Sequence, residues 1–425
     1  MNIFDQLLAD NQIPKFVRVC HEMDHSHIDD IEGAVAQAMR REGTLDRIKP
    51  GDSVCITAGS RDVANIARII RAICDQVKSV GAHPFIIPAM GSHAGAKAEG
   101  QRGIIEGYGV TEEAMGAPIR ASMDTEVIAH SRSGLEIHLD KFANAADFLI
   151  PVGRIKAHTD FRGEVESGIC KMLVIGMGKQ HGAYQCHKLG FKSMAANVKE
   201  FAGAIIEKKP NMFAIGLIEN AYHQTCRIEA IPAGRILEEE PPLLEYAKSR
   251  MAKVPFDQAD ILFVDETGKD ISGAGMDPNV TGRSPVLGIS RPFFQRIAVF
   301  DLTDKSHGNF GGLGSADVTT QRLYRKIDFE QTYPNGITAA EPLAVRLPAV
   351  MPSDRTAMQF ALRTATDCDW EKGPRIVWLK NTLSLSEFYI SEALIPDAEA
   401  LDNVTIVSEP MEVIFDEEGN VKELR

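Results

Sequence analysis

Apolar and polar positions change period repeatedly along the first half of the chain. Ser53–Ala58 is a short, β-branched run and reads as a strand. After the turn Gly59-Ser60-Arg61-Asp62, apolar residues recur at helical spacing at Ile66, Ile69, Ile70, Ile73 and Val77. They predict a helix that stops at Gly81, with Asp62 or Ser60 as its candidate cap. Pro84–Pro88 is a second strand, and this β-turn-α-β unit implies parallel strands. It ends in another glycine-rich turn, Met90–Gly95, ahead of a helical stretch around Ala98–Tyr108. A third strand covers Ala146–Val152. Shorter β-rich pieces fall at Glu126–Ala129 and Leu135–Leu139, followed by a helix at Met194–Lys208 and a strand at Met212–Ile218. The acidic, proline-rich stretch Glu238–Pro242 and a helix at Leu243–Ala252 read as a connector.

A second α/β pattern starts at Asp260–Asp265 and runs into the glycine-rich loop Glu266–Asn279. Further strands are expected at Ile297–Leu302 and Arg375–Leu379, with helices at Ala316–Ile327 and Asp354–Thr366. The expectation is two α/β domains with mainly parallel sheets and an active-site cleft between them. Residues 1–253 would be the catalytic and cofactor-binding domain, and 254–425 the domain that closes the cleft.

Composition narrows the class. At 425 residues there is room for two cores, and 44% hydrophobic content is that of an ordinary globular protein. A net charge of −13 with no basic stripe argues against nucleic acid as partner. No apolar run approaches a membrane span, and the N-terminus has no basic-then-apolar leader pattern. The seven cysteines are scattered and never form Cys-x-x-Cys, which points to a reduced, cytoplasmic protein without a disulfide framework or zinc ribbon.

Three successive strand ends carry chemistry: Gly59-Ser60-Arg61, Gly91-Ser92-His93, and the run from His158 to His181. In an open parallel sheet these ends share one edge, where ligands bind. His93 and His158 suit an acid and a base, or are loop histidines satisfied by backbone. Arg61, beside a helix start, suits a carboxylate clamp or an ion pair with Asp62. Lys171 precedes an apolar run, so it is either a desolvated nucleophile or a surface lysine laid along apolar neighbours. His181 is a candidate metal ligand that would need further donors from elsewhere. Lys269, in a loop that is neither a P-loop nor a Rossmann turn, supplies charge to a ligand or belongs to a structural turn. His21, His25 and His27 read as solvated surface, and His130 and His138 as exposed.

The order of these pieces resembles the lactate racemase family, the nickel-pincer-nucleotide-dependent racemases and epimerases of 2-hydroxyacids. The resemblance rests on Arg61 after the first strand, Gly91-Ser92-His93 after the second, and His158 after the third. It rests further on Ser167-Gly168-Ile169-Cys170-Lys171 and on the downstream His181. It implies catalysis by His93, His158 and Arg61, and nickel ligation by His181. Cofactor binding would fall to Ser60, Ser167, Gly168, Lys171 and Lys269, with Lys171 in the place of the family's cofactor-linked lysine. The substrate would be a small 2-hydroxyacid, and the cofactor would be made by separate biosynthetic proteins. Ile169-Cys170 stands where the lactate enzymes have Gly-Arg, and the spacings around Lys171 differ, so the resemblance points to another hydroxyacid than lactate. Two other readings compete: a divalent-metal hydrolase or lyase using His158, His181 and Asp160 or Glu166, and a non-catalytic nucleotide- or metal-binding protein.

Overall fold

The computed structural model describes residues 3–60, 63–284, 291–339 and 341–425. It divides into two compact units, Asp24–Met251 and Met1–Met23 with Ala252–Arg425. The first 23 residues are therefore not part of the unit that follows them, as the sequence division placed them. Strand β1 (Phe16–His21) alternates buried and exposed positions and pairs antiparallel with Glu387–Ser391 and Val404–Ile406, near the far end of the chain. His21 is consequently buried rather than solvated, its Nδ1 3.2 Å from the Leu385 carbonyl oxygen.

In the unit Asp24–Met251, β2 (Ser53–Ala58) leads through helix α1 (Ile66–Ser79) to β3 (His83–Pro88). Helix α2 (Ala98–Gly107) and the antiparallel hairpin of β4 (Thr125–His130) and β5 (Glu136–Asp140) follow. Then come β6 (Phe148–Ile150) and β7 (Val152–Arg154), separated only by Pro151, which has no N–H to give to a ladder. Helices α3 (Lys179–His187) and α4 (Met194–Lys208), strands β8 (Phe213–Glu219) and β9 (Thr225–Pro232), and helix α5 (Ile236–Arg250) complete it. β3, β2 and β6 are parallel neighbours, as are β7 and β8, while β9 runs antiparallel to β8.

Both faces of β2 are covered, which is why it reads as a continuous apolar run. Val54 and Ile56 face Ile69, Ile70, Ile73 and Val77 of α1. Cys55 shares the opposite core with Phe85, Leu149, Leu173 and Phe201. The expected connector Glu238–Pro242 is instead the middle of α5, which contains Pro241 and Pro242. Burial of Ile236, Leu243, Leu244 and Ala247 carries the helix through both prolines.

The other unit holds an eight-stranded sheet built on β1. It adds β10 (Gln258–Thr267), β11 (Phe293–Leu302), β12 (Val318–Thr320), helix α6 (Gln321–Arg325), β13 (Ala349–Met351) and helix α7 (Asp354–Thr364). β14 (Ile376–Leu379), β15 (Glu387–Ser391) and β16 (Val404–Ile406) close the list. The order is β13-β12-β11-β10-β14-β15-β1-β16, parallel from β13 to β14 and antiparallel beyond. A helix expected over Ala316–Ile327 is a strand followed by a short helix. Val318-Thr319-Thr320 is β-branched and pairs on both sides, and the Thr320 hydroxyl caps α6 by accepting from the Leu323 N–H at 3.1 Å.

Asp265, on β10, accepts from the Trp378 indole N–H at 2.6 Å, yet burial pushes its carboxyl up to about 7. A carboxyl raised in the fold holds a proton that the unfolded chain has already released. Its stabilisation is thus present in acid and lost as pH rises from about 4 through 7. Asp265→Asn keeps the acceptor and removes the buried charge. Its stabilising effect is expected to be larger at pH 8 than at pH 5 by about 2 kcal/mol. Urea unfolding at the two pH values checks this, and an equal effect at both would contradict it.

Candidate functional site

The C-terminal ends of β2, β3 and β7 converge on one stretch of helix. Ile169–Lys171 is a first turn, Met172–Gly176 a π-helical turn, and α3 begins at Lys179. A Cβ on Gly59 would lie 3.3 Å from the Met172 side chain, and one on Gly91 3.1 Å from Ile175. Gly153, on β7, packs on the Gly168 carbonyl, and Lys156 forms a β-bridge with Ser167. The expected loop from His158 to His181 is therefore largely helical in its second half. Gly178 and Lys179 break the helix, Lys179 with φ of 54°, and fold α3 back so that Gly182 packs on the Val174 carbonyl. π-turns of this kind recur at functional sites.

On this edge, the His93 Nδ1 lies 2.5 Å from the Ser60 hydroxyl, joining the first two strand ends. Ser60 therefore meets His93 and does not cap α1, whose N-cap is Asn65. The backbone after His93 is strained, with Ala94 and Ala96 both at φ of 54°. Arg61, the expected carboxylate clamp, lies outside the described residues, as does Asp62.

His158 and Lys171 meet directly, Nε2 against Nζ. The Asp160 backbone N–H donates to His158 Nδ1 at 2.9 Å. Burial, followed by the charges of Lys171 and Lys156, holds the His158 pKa well below the ordinary histidine range. The ring stacks on Phe161 at 4.2 Å. His187 is nearby and its pKa too is lowered, by burial and then by Lys171.

Buried carboxylates that the sequence did not single out as supports hold this loop and helix. Glu166 accepts the His158 N–H at 2.7 Å through Oε2, and its Oε1 is 3.0 Å from the Lys248 amine. Glu240 accepts the Cys170 N–H at 2.9 Å and so caps the turn that carries Lys171. A Cβ at Gly168 would sit 2.0 Å from Glu240 Oε1, so that position needs glycine for close approach. In sequence Glu240 stands in an acidic, proline-rich stretch and Glu166 beside Glu164, Val165 and Ser167, and neither setting says what the carboxylate caps. Arg154 and Arg162 are also engaged, with Glu219 at 2.5 Å and with backbone carbonyls and Glu166 respectively.

His181 is exposed on α3, stacked on His138 with ring centroids 5.6 Å apart. His138, expected to be exposed, keeps only 10% of its side chain accessible because α3 packs over β5. Among the described residues no group of three or more His, Cys, Asp or Glu is arranged to hold a metal. The His181 Nε2 has no hydrogen-bond partner among them either. One open imidazole fits a metal group that brings most of its own ligands. Of the two acids of the hydrolase reading, Glu166 is engaged by His158, Arg162 and Lys248, and Asp160 Oδ2 lies 3.8 Å from His158 Nδ1. Lys269 belongs to the other unit, where its amine donates to the Gly273 carbonyl at 2.6 Å.

The protein is a two-unit α/β one in which Ser60, His93 and His158 follow the carboxyl ends of β2, β3 and β7. Similar to it in fold is the lactate racemase apoprotein of Thermoanaerobacterium thermosaccharolyticum. The TM-score is 0.53 at 15% identity, covering 87% of this chain and 99% of that one. A crystallised protein of Thermotoga maritima covers 83% of this chain and 87% of its own length at 11% identity, with a TM-score of 0.44. No family's sequence profile matches the chain, and no curated protein is similar to it in sequence. The likeness to the racemase apoprotein is one of fold. No helix among the described residues is long and apolar enough to cross a membrane.

Proposed function

We propose that the chain is an isomerase that inverts C2 of a small 2-hydroxyacid with a nickel-pincer nucleotide. The observation that carries this reading is the meeting of His158 with Lys171 on the sheet edge that also presents His93, in a fold like that of the lactate racemase apoprotein. When bound, the nucleotide supplies a hydride acceptor and the nickel. His93 and His158, from separate strand ends, take the hydroxyl proton as C2 flattens to the 2-keto acid and return it on inversion. The hydroxyl of Ser60 orients the His93 ring through its 2.5 Å contact. Arg61 holds the substrate carboxylate so that the keto group turns without leaving. Lys171 anchors the nucleotide beside His158, which its amine meets at Nε2. Ser60, Ser167 and Gly168 line the nucleotide, and His181 is the one protein ligand to nickel.

The test uses protein co-expressed with cofactor-synthesis proteins and a panel of enantiopure 2-hydroxyacids in D2O, read by chiral chromatography and mass spectrometry. At least one acid is expected to racemise without taking deuterium at C2, because hydride returns to the carbon it left. Inversion with full deuterium uptake, or nickel-loaded protein inert on every acid, would overturn the reading.

A further inference from the structure

We infer that Glu136, His138 and Thr125 form a hydrogen-bond relay that fixes the tautomer of His181, keeping its proton on Nδ1 and leaving Nε2 bare. The inference rests on the proposed role of His181 and names the residues that prepare it for that role. His138 Nε2 lies 3.1 Å from Glu136 Oε2. An ionised carboxylate only accepts, so this nitrogen carries the proton of the neutral ring. The bare Nδ1 of His138 then accepts from the Thr125 hydroxyl at 3.0 Å. That spends the one proton of Thr125, and its oxygen has only lone pairs left for His181 Nδ1 at 3.5 Å. The consequence is an N–H on His181 Nδ1 and an unprotonated Nε2, the form in which imidazole binds a metal.

Two further contacts hold the relay in place. The rings of His138 and His181 stack within 28° of parallel, which fixes the plane in which Nε2 points. Gln185, one helical turn after His181 on α3, donates to Glu136 Oε2 at 3.3 Å and ties the start of the relay to the helix that bears its end. The hairpin of β4 and β5 thus acts as the outer wall of the ligand. Thr125, Glu136 and His138 are positioning residues, since none of them need touch the metal or the substrate.

The experiment reads the tautomer directly and needs neither cofactor nor substrate. In the full chain labelled with 15N-histidine, long-range 15N–1H correlation is expected to show a pyrrole-like Nδ1 and a pyridine-like Nε2 for His181. The signal is assigned by its loss in His181→Gln. Thr125→Val is expected to shift His181 toward the Nε2–H form preferred by free imidazole, whereas Thr125→Ser, which restores a hydroxyl, keeps the wild-type pattern. Unchanged signals from the histidines other than His138 and His181 show that Thr125→Val is folded. A wild-type His181 protonated on Nε2, or a tautomer indifferent to Thr125→Val, overturns the relay even if the protein racemises hydroxyacids. A relay that passes alongside an inert holoprotein refutes the proposed function instead.

Discussion

Lys179→Met is expected to destabilise the unit Asp24–Met251 by about 3–5 kcal/mol, the usual cost of removing one partner of a buried ion pair. Lys179 and Asp140 are both fully buried and lie 3.3 Å apart. The amine also donates to the Pro88 carbonyl at the end of β3. Asp140 Oδ1 accepts the backbone N–H groups of Phe142 and Ala143 at 2.8 and 3.0 Å, while among the described residues its Oδ2 meets only the lysine. Burial holds the Lys179 pKa below its ordinary value and the Asp140 pKa above its own, so pairing does not recover the whole desolvation cost. The strut serves placement. It pins the ends of β3 and β5 to the first residue of α3, and hence the His93 turn to the helix of His181. A thermal midpoint lower by about 10 °C is the size of change to look for in a unit of this length. Lys179→Met combined with Asp140→Asn removes the stranded charge while keeping the cap on Phe142 and Ala143, and should recover much of the loss. A single variant as stable as the wild type would show that the pair contributes nothing.

Local pattern reads this chain well where an element's neighbours are close in sequence. β2, α1 and β3 were legible because a parallel strand covered on both faces gives an unbroken apolar run, and α1 a clean helical stripe. Where the deciding partner is distant, the pattern is silent. β1 joins strands near the other end of the chain, and nothing between Phe16 and His21 says so. β12 is three residues long and is made a strand by β11 and β13 on either side. The same division runs through the site. Glycine-rich strand ends marked His93 and His158, but alternation in β5 assigned His138 a face without revealing that α3 covers it. Glu240 stood in an acidic, proline-rich stretch and read as connector. Its role appears only once α5 brings it to the Cys170 N–H. Lys171 was undecidable by spacing, because its contact with His158 depends on the turn that Glu240 caps.

His158→Ala is expected to slow inversion by about 10²–10⁴-fold in both directions, the range for removing a positioned acid–base group. In the proposed reaction both directions fall together, because each stereoisomer needs one histidine to take the hydroxyl proton and the other to return it. The variant also takes away the ring that meets Lys171, so it is paired with His158→Gln, which keeps a polar group of similar length without the titration. Intact-protein mass spectrometry separates loss of catalysis from loss of the anchored nucleotide. The pH profile of the wild type carries an independent sign. As a base His158 must be unprotonated, and burial with the neighbouring lysines lowers its pKa well below the ordinary 6.5. Its neutral form therefore persists into acid, and the acid limb of kcat/KM should fall below pH 6.5 rather than at it. An acid limb at or above 6.5 that survives in His158→Gln would assign the essential base elsewhere. Near-normal exchange by either His158 variant would leave His93 without the partner that stereoinversion requires.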